Sequence, residues 1–280
     1  MATYFTVLSV AGSDSSGGAG IQADLKTFSA LGCYGMTAIT ALTAQNTTGV
    51  TAIHVVPPEF VEAQIDVVFD DIVPNAVKIG MLGSGDVAEA VGEALRRNHA
   101  SHIVLDPVVV ATSGATLSGA DAFAPLKDKL FPISEVITPN LAEARTLSNI
   151  FSATPEVADP SEARAIARAL QAQGANAVLI TGVRTSANPS AISDLLYFND
   201  SGDCLKFDAD EIVTQNTHGT GCTLSSAIAA YLASGHPLDE AVAHAHHYVH
   251  EAITHGASTV IGRGHGPVNH FFDPKKLIII

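Results

Sequence analysis

Short β-branched runs and longer amphipathic runs alternate along this chain almost without interruption. Residues 5–10 form a β-branched run that ends on the turn residues Ala11, Gly12, Ser13 and Asp14, which predicts a first strand. Over 21–31 the apolar positions recur at helical spacing and stop at Gly32, a glycine C-cap. The pattern then predicts a strand over 37–44, a helix over 58–72 with proline at its start, a strand over 76–81, a helix over 86–97 and a strand over 103–106. Strand, helix, helix and strand follow over 136–138, 141–149, 161–173 and 177–181. Residues 194–198 and 204–207 flank the turn Asn199-Asp200-Ser201-Gly202, a hairpin signal. Two helices close the pattern, over 223–234 and 238–254.

Strands that are apolar throughout, rather than alternating, must be covered on both faces. Interleaved with helices, they predict an α/β fold with a central, mostly parallel sheet. No linker, repeat or low-complexity stretch interrupts the pattern, so the expectation is one domain over 1–280. Such sheets bind ligands beyond the carboxyl ends of their strands. Asp14, Gln45, Asp106, Asn140 and Thr181 all fall at those ends.

Composition narrows the partners. The chain is 47% hydrophobic with 15% charged residues and contains no run of ~20 apolar residues of the kind that spans a membrane. The first residues lack the basic start of a secretory signal. Three scattered cysteines point away from a disulfide framework and toward a reducing, cytoplasmic setting. A net charge of −14 disfavours nucleic acid and anionic membranes. An acidic chain that handles phosphate must therefore rely on amide dipoles, a few cations and a divalent metal.

The chemistry concentrates at Asn216-Thr217-His218-Gly219-Thr220-Gly221-Cys222-Thr223, a glycine loop that opens a helix. A helix start offers unpaired N–H groups and partial positive charge, which suit a phosphate or a developing oxyanion. Cys222 sits where a lowered pKa would make it a base or nucleophile, the alternative being a helix cap followed by a buried small residue. Gln45 offers both a donor and an acceptor to a heterocycle edge, or satisfies a loop at a strand end. The run from Ser15 to Gly20 lacks the G-x-G-x-x-G spacing of a dinucleotide site, and no Walker A loop occurs. His246 and His250 have the i, i+4 spacing of metal ligands, but no third ligand joins them in helical register, which favours solvated or core histidines. Cys33 and Cys204 read as structural.

Five segments carry a closer resemblance: Ala11 through Thr27, Thr43-Ala44-Gln45-Asn46-Thr47, Lys78-Ile79-Gly80-Met81, Ile137-Thr138-Pro139-Asn140, and the Gly219–Cys222 loop. In that order, and with a Gly264-to-Phe271 tail, they resemble the hydroxymethylpyrimidine/phosphomethylpyrimidine kinases of thiamine biosynthesis over nearly the whole chain. The resemblance implies a ribokinase-like three-layer α/β/α fold and two phosphoryl transfers from MgATP. The first is to 4-amino-5-hydroxymethyl-2-methylpyrimidine and the second to its monophosphate. It implies an anion hole at Gly219, Thr220 and Gly221 with Cys222 as base. Substrate contacts would come from Gln45, Ala19, Asp24, Met81 and Val108, while Lys26 is equally a solvated charge. ATP would meet Asp106, Asn140, Thr181 and Gly182, with Glu143 and Asp106 toward Mg²⁺. It also implies a lid over 109–117 and a homodimer.

Three departures stand out. Thr112, Thr181 and His246 occupy positions where the family often carries lysine, and Arg184 is a candidate replacement on the nucleotide side. Each loss puts the second phosphorylation, which must hold an anionic substrate, most in question. The alternatives are pyridoxal/pyridoxine kinase, whose architecture is the same, and a pyrimidine-binding sensor that has lost ATP turnover.

Overall fold

A computed structural model describes residues 2–108, 123–150, 160–185, 188–199 and 201–280. The first half runs β1 (Thr6–Asp14), α1 (Gly20–Ala30), β2 (Tyr34–Asn46), β3 (Gly49–Val55), α2 (Pro58–Asp71), β4 (Ala76–Ile79), α3 (Gly85–Arg97) and β5 (Ile103–Leu105). A short turn of helix, α4 (Phe123–Pro125), leads through irregular helical turns to β6 (Val136–Ile137). Then come α5 (Leu141–Ser148), α6 (Pro160–Ala172), β7 (Ala177–Thr185), β8 (Asn188–Phe198), β9 (Cys204–Asp210), α7 (Thr220–Ala233) and α8 (Leu238–Gly256).

The nine strands form one sheet in the order β3-β2-β1-β4-β5-β6-β7-β8-β9. Pairings from β2 through β7 are parallel, and the outer pairs β2–β3, β7–β8 and β8–β9 are antiparallel. Pleating turns Leu8 and Val10 of β1 to one face and Val7 to the other. The first face packs on Val61, Ile65, Val91, Leu147 and Ile166, from α2, α3, α5 and α6. The second packs on Phe28, Ile228 and Val242, from α1, α7 and α8. The three-layer α/β/α expectation is met, and the ends of the predicted elements shift by only a few residues except in β7, β8 and β9.

Two features escape the periodicity. Strand β3 leaves most of its residues exposed, so it carries no buried stripe to announce it. It forms because Asn46 turns the chain: its Oδ1 accepts from the N–H (2.9 Å) and hydroxyl (2.6 Å) of Thr48 and folds β3 back on β2. Helix α7 starts at Thr220 rather than at 223, with Gly219 as its N-cap at φ +82°.

Along the sheet, strand order reverses between β1 and β4. That switch point, at the carboxyl ends of the parallel strands, is where a ligand cleft is expected.

Candidate active site

The cleft lies at that switch point. The loop after β1 forms one wall, and Asp14 shapes it. Its Oδ1 accepts from the N–H (2.8 Å) and hydroxyl (2.7 Å) of Ser16. Its Oδ2 accepts from the N–H groups of Gly18 (3.0 Å) and Ala19 (2.9 Å) and pairs with His218 Nε2 at 2.9 Å. Burial opposes the carboxylate charge, but these bonds, led by His218, hold its pKa well below the usual carboxylate range. Asp14 is thus a structural anion spent on the loop. His218 belongs to this clasp rather than simply capping its own turn. Lys26, open between surface and site in the sequence, donates to the Gly17 carbonyl at 2.7 Å.

Through His218 the first loop meets the second. A Cβ on Gly219 would lie 2.0 Å from the Gly18 carbonyl oxygen, so only glycine permits this approach. Behind the second loop, the amide of Asn216 donates to the carbonyls of Gly256 (2.8 Å) and Thr259 (2.7 Å), and His218 N–H donates to Gly266 (3.0 Å). The Gly264-to-His270 tail therefore braces the helix start. Gly219, Thr220, Gly221 and Cys222 line the cleft at the start of α7, with the Thr220 N–H donating to the Thr217 carbonyl at 3.3 Å.

Around that helix start the cleft gathers Ala19, Gln45, Met81 and Val108 with Asp106, Asn140, Glu143, Thr181, Gly219, Thr220, Gly221 and Cys222. Gln45 Oε1 accepts from the Thr43 hydroxyl at 3.1 Å, and its amide nitrogen lies 3.4 Å from His218 Nε2 at the cleft. Asn140 caps α5 by accepting from Glu143 N–H, while a Glu143 oxygen accepts from Asn140 N–H, each at 3.0 Å. This reciprocal box sets both side chains at the cleft and seats the Glu143 carboxylate in the first turn of α5.

Two expected contacts lie off the wall. Gly182 does not line the cleft; its N–H donates to Asp194 Oδ1 at 2.9 Å. Asp24 is fully buried behind the cleft and is not part of its lining. Its carboxylate takes Lys78 Nζ at 3.0 and 3.1 Å, the Ser9 hydroxyl at 2.6 Å and the Ser226 hydroxyl at 2.7 Å. Lys78, equally buried, does line the cleft. Its signal in the sequence is a lysine inside a strand otherwise buried end to end. Burial alone would discharge it, yet Asp24, Cys222 and Asp106 raise its pKa. Thr138, also on the wall, has a buried hydroxyl with no hydrogen-bond partner among the described residues.

Cys222 departs from expectation in its charge. The helix start predicted a lowered pKa. Instead burial, with the carboxylates of Asp24 and Asp106 and against the pull of Lys78, pushes the thiol up to about 12. Asp106, buried and bonded by the Ser225 hydroxyl at 3.2 Å, is raised as well, first by burial and then by Asp24. Two carboxylates thus face one ammonium.

The family model for phosphomethylpyrimidine kinase matches residues 14–269. The chain belongs to that family. A hydroxymethylpyrimidine/phosphomethylpyrimidine kinase from Rhizobium meliloti is 50% identical over 264 residues, 94% of this chain and 96% of that protein. Among solved structures, a phosphomethylpyrimidine kinase from Clostridium difficile 630 aligns with a TM-score of 0.75 at 38% identity, covering 89% of this chain and 99% of that one. The pyridoxal kinase from Staphylococcus aureus in complex with AMP-PCP and pyridoxal aligns at 0.83 and 32% identity, over 96% and 94%. The chain is therefore a kinase of this family on the ribokinase-like fold.

The family's missing lysines are not simply replaced. Arg184, the suggested substitute, is paired with Glu211. His246 Nδ1 bonds Asp194 Oδ2 at 2.9 Å, which couples α8 to the Gly182 turn, and its buried Nε2 has no hydrogen-bond partner among the described residues. Thr112 and the lid expected over 109–117 lie outside the described residues.

Proposed function

We propose that this chain transfers the γ-phosphoryl group of ATP to the hydroxymethyl oxygen of 4-amino-5-hydroxymethyl-2-methylpyrimidine, and then phosphorylates the monophosphate to the diphosphate. One observation carries the reading. The glycine helix start stands between a largely apolar wall (Ala19, Met81, Val108, with Gln45) and a polar wall (Asp106, Asn140, Glu143, Thr181) in one cleft. The first wall suits an aminopyrimidine, with the Gln45 amide toward its edge. The second suits nucleotide phosphates, where the orphaned Thr138 hydroxyl supplies a further donor.

In the transfer, the substrate oxygen bonds to the γ-phosphorus, the bond to the bridging oxygen breaks and ADP leaves. The amides of Gly219 to Cys222 stabilise the charge on the moving group. Mg²⁺ fits the donor set, because Asp106 and Asp24 outnumber the Lys78 charge and a cation beside Asp106 relieves the excess. Asp106 and Glu143 would hold it, directly or through water, and when bound it neutralises phosphate charge. A thiol pushed up to about 12 is protonated in the free protein. Cys222 therefore positions the hydroxyl, which loses its proton during transfer rather than beforehand, as a loose transition state allows.

A single kinase domain, a homodimer and a cytoplasmic setting belong to the same reading. Cys33, Cys204 and Cys222 are free thiols, and Leu42 and Ile53 expose apolar surface on the β2–β3 edge. A second substrate, pyridoxal, is favoured by the close alignment with the Staphylococcus aureus enzyme.

Purified protein with ATP and Mg²⁺ should convert hydroxymethylpyrimidine to monophosphate and then diphosphate, followed by mass, and prefer it to pyridoxal. Monophosphate accumulating alone would remove the second step. Faster pyridoxal turnover would transfer the proposal to vitamin B6, and no turnover on either ring would leave a sensor.

A further inference from the structure

The kinase chemistry leaves the histidine-rich stretch that follows α7 without a role. Gly235, at φ +88°, turns the chain, and His236 N–H donates to the Tyr231 carbonyl at 3.1 Å. This folds His236, which precedes α8, back over that helix's first turns. Its Nδ1 lies 3.4 Å from Glu240 Oε2, and its ring meets the His244 ring edge-on with centroids 5.1 Å apart. One ligand atom from each of the three residues lies within 4.8 Å of the others.

We propose that His236, Glu240 and His244 bind one transition-metal ion of the Zn²⁺ class, which staples the α7–α8 turn at the end of α7 remote from the anion loop. Ligand atoms held about 2.1 Å from a tetrahedral zinc stand about 3.4 Å apart. The His236–Glu240 edge is already at that separation. The remaining edges close by about 1.4 Å at most from their 4.8 Å limit, a side-chain rotation open to the exposed Glu240 and His244. Two imidazoles and a carboxylate select Zn²⁺, Ni²⁺ or Co²⁺ over Mg²⁺, which requires hard oxygen ligands. The site therefore does not compete with Asp106 and Glu143 for the kinase's own metal. Exposure leaves the fourth position to water.

The surrounding charges are compatible. A cation near a helix start works against the helix dipole, but Asp239 and Glu240 occupy that first turn. On the α7 side Tyr231 packs on both histidine rings, and the Lys275 ammonium lies across the Tyr231 ring, 5.7 Å from its centroid. The trio keeps i, i+4, i+8 spacing although His236 precedes α8, so the three side chains fall on one face.

The test is equilibrium dialysis of the full chain against Zn²⁺ in excess Mg²⁺ at pH 8, paired with thermal unfolding. Wild type and Cys222→Ser should each retain one Zn²⁺ per chain that His236→Gln/His244→Gln binds more than tenfold more weakly. Zinc should raise Tm by several degrees in the wild type and not in the double variant, whose unchanged kinase turnover reports an intact fold. Glu240→Gln serves as a milder variant should the double one fold poorly. Co²⁺ should give visible d–d bands without thiolate charge transfer. Absence of zinc binding, undiminished binding by both sets of variants, or a thiolate-to-cobalt band would overturn the site.

Discussion

At the tip of α7, charge rather than helix position decides the state of Cys222. A helix start favours a thiolate by about 1 kcal/mol at most sites, whereas burial beside Asp106 and Asp24 pushes the pKa up to about 12. At pH 7 the thiol is then protonated, which does not suit a base that must be ionised before substrate arrives. Alkylation of Cys222 by iodoacetamide in the free protein should accordingly keep accelerating from pH 7 through pH 10. A plateau by pH 8 would show an activated thiolate. Cys222→Ala should still lower turnover more than tenfold, with the KM for ATP within twofold, as the proposed positioning role requires.

Between elements, the Lys78–Asp24 pair joins β4 to α1 and, through Ser226, to α7. It sits directly under the cleft, so its integrity sets the spacing between the first loop and the anion loop. Removing one member strands the other charge inside the protein, at a cost of ~3–5 kcal/mol. Asp24→Leu and Lys78→Met alone should each lower stability by that order in urea titration. The double variant should recover at least half of the summed loss, because both desolvation costs disappear together. Additive losses would mean that the pair is not the organising contact.

For the whole molecule, the C-terminal tail couples folding to pH. His270 is buried, with Nε2 3.1 Å from the Thr223 hydroxyl and its carbonyl accepting from Tyr248 at 2.6 Å. Burial, then the nearby Lys26, lowers its pKa from 6.5 to about 4. Between those values only the unfolded chain takes up the proton. The stabilisation is therefore complete above pH 6.5 and fades as pH falls toward 4, by up to about 3 kcal/mol. Urea unfolding at pH 7 and pH 5 should show a loss in the wild type that His270→Gln substantially reduces. Equal losses in the two proteins would place the acid sensitivity elsewhere.

The hydrophobic pattern by itself determined the layers, because strands apolar on both faces admit only a covered parallel sheet and the glycine and proline stops delimit its helices. It also determined most of the cleft wall, since strand ends and a glycine helix start converge in such a sheet whatever the details. Tertiary structure decided what pairing and burial control. Asp24 and Lys78 became a buried ion pair, and Asp14 was consumed by its own loop and His218. Cys222 kept its proton because burial and nearby carboxylates outweigh Lys78. Local spacing records which residues share a face, but charge states and orphaned donors depend on neighbours brought together from distant parts of the chain.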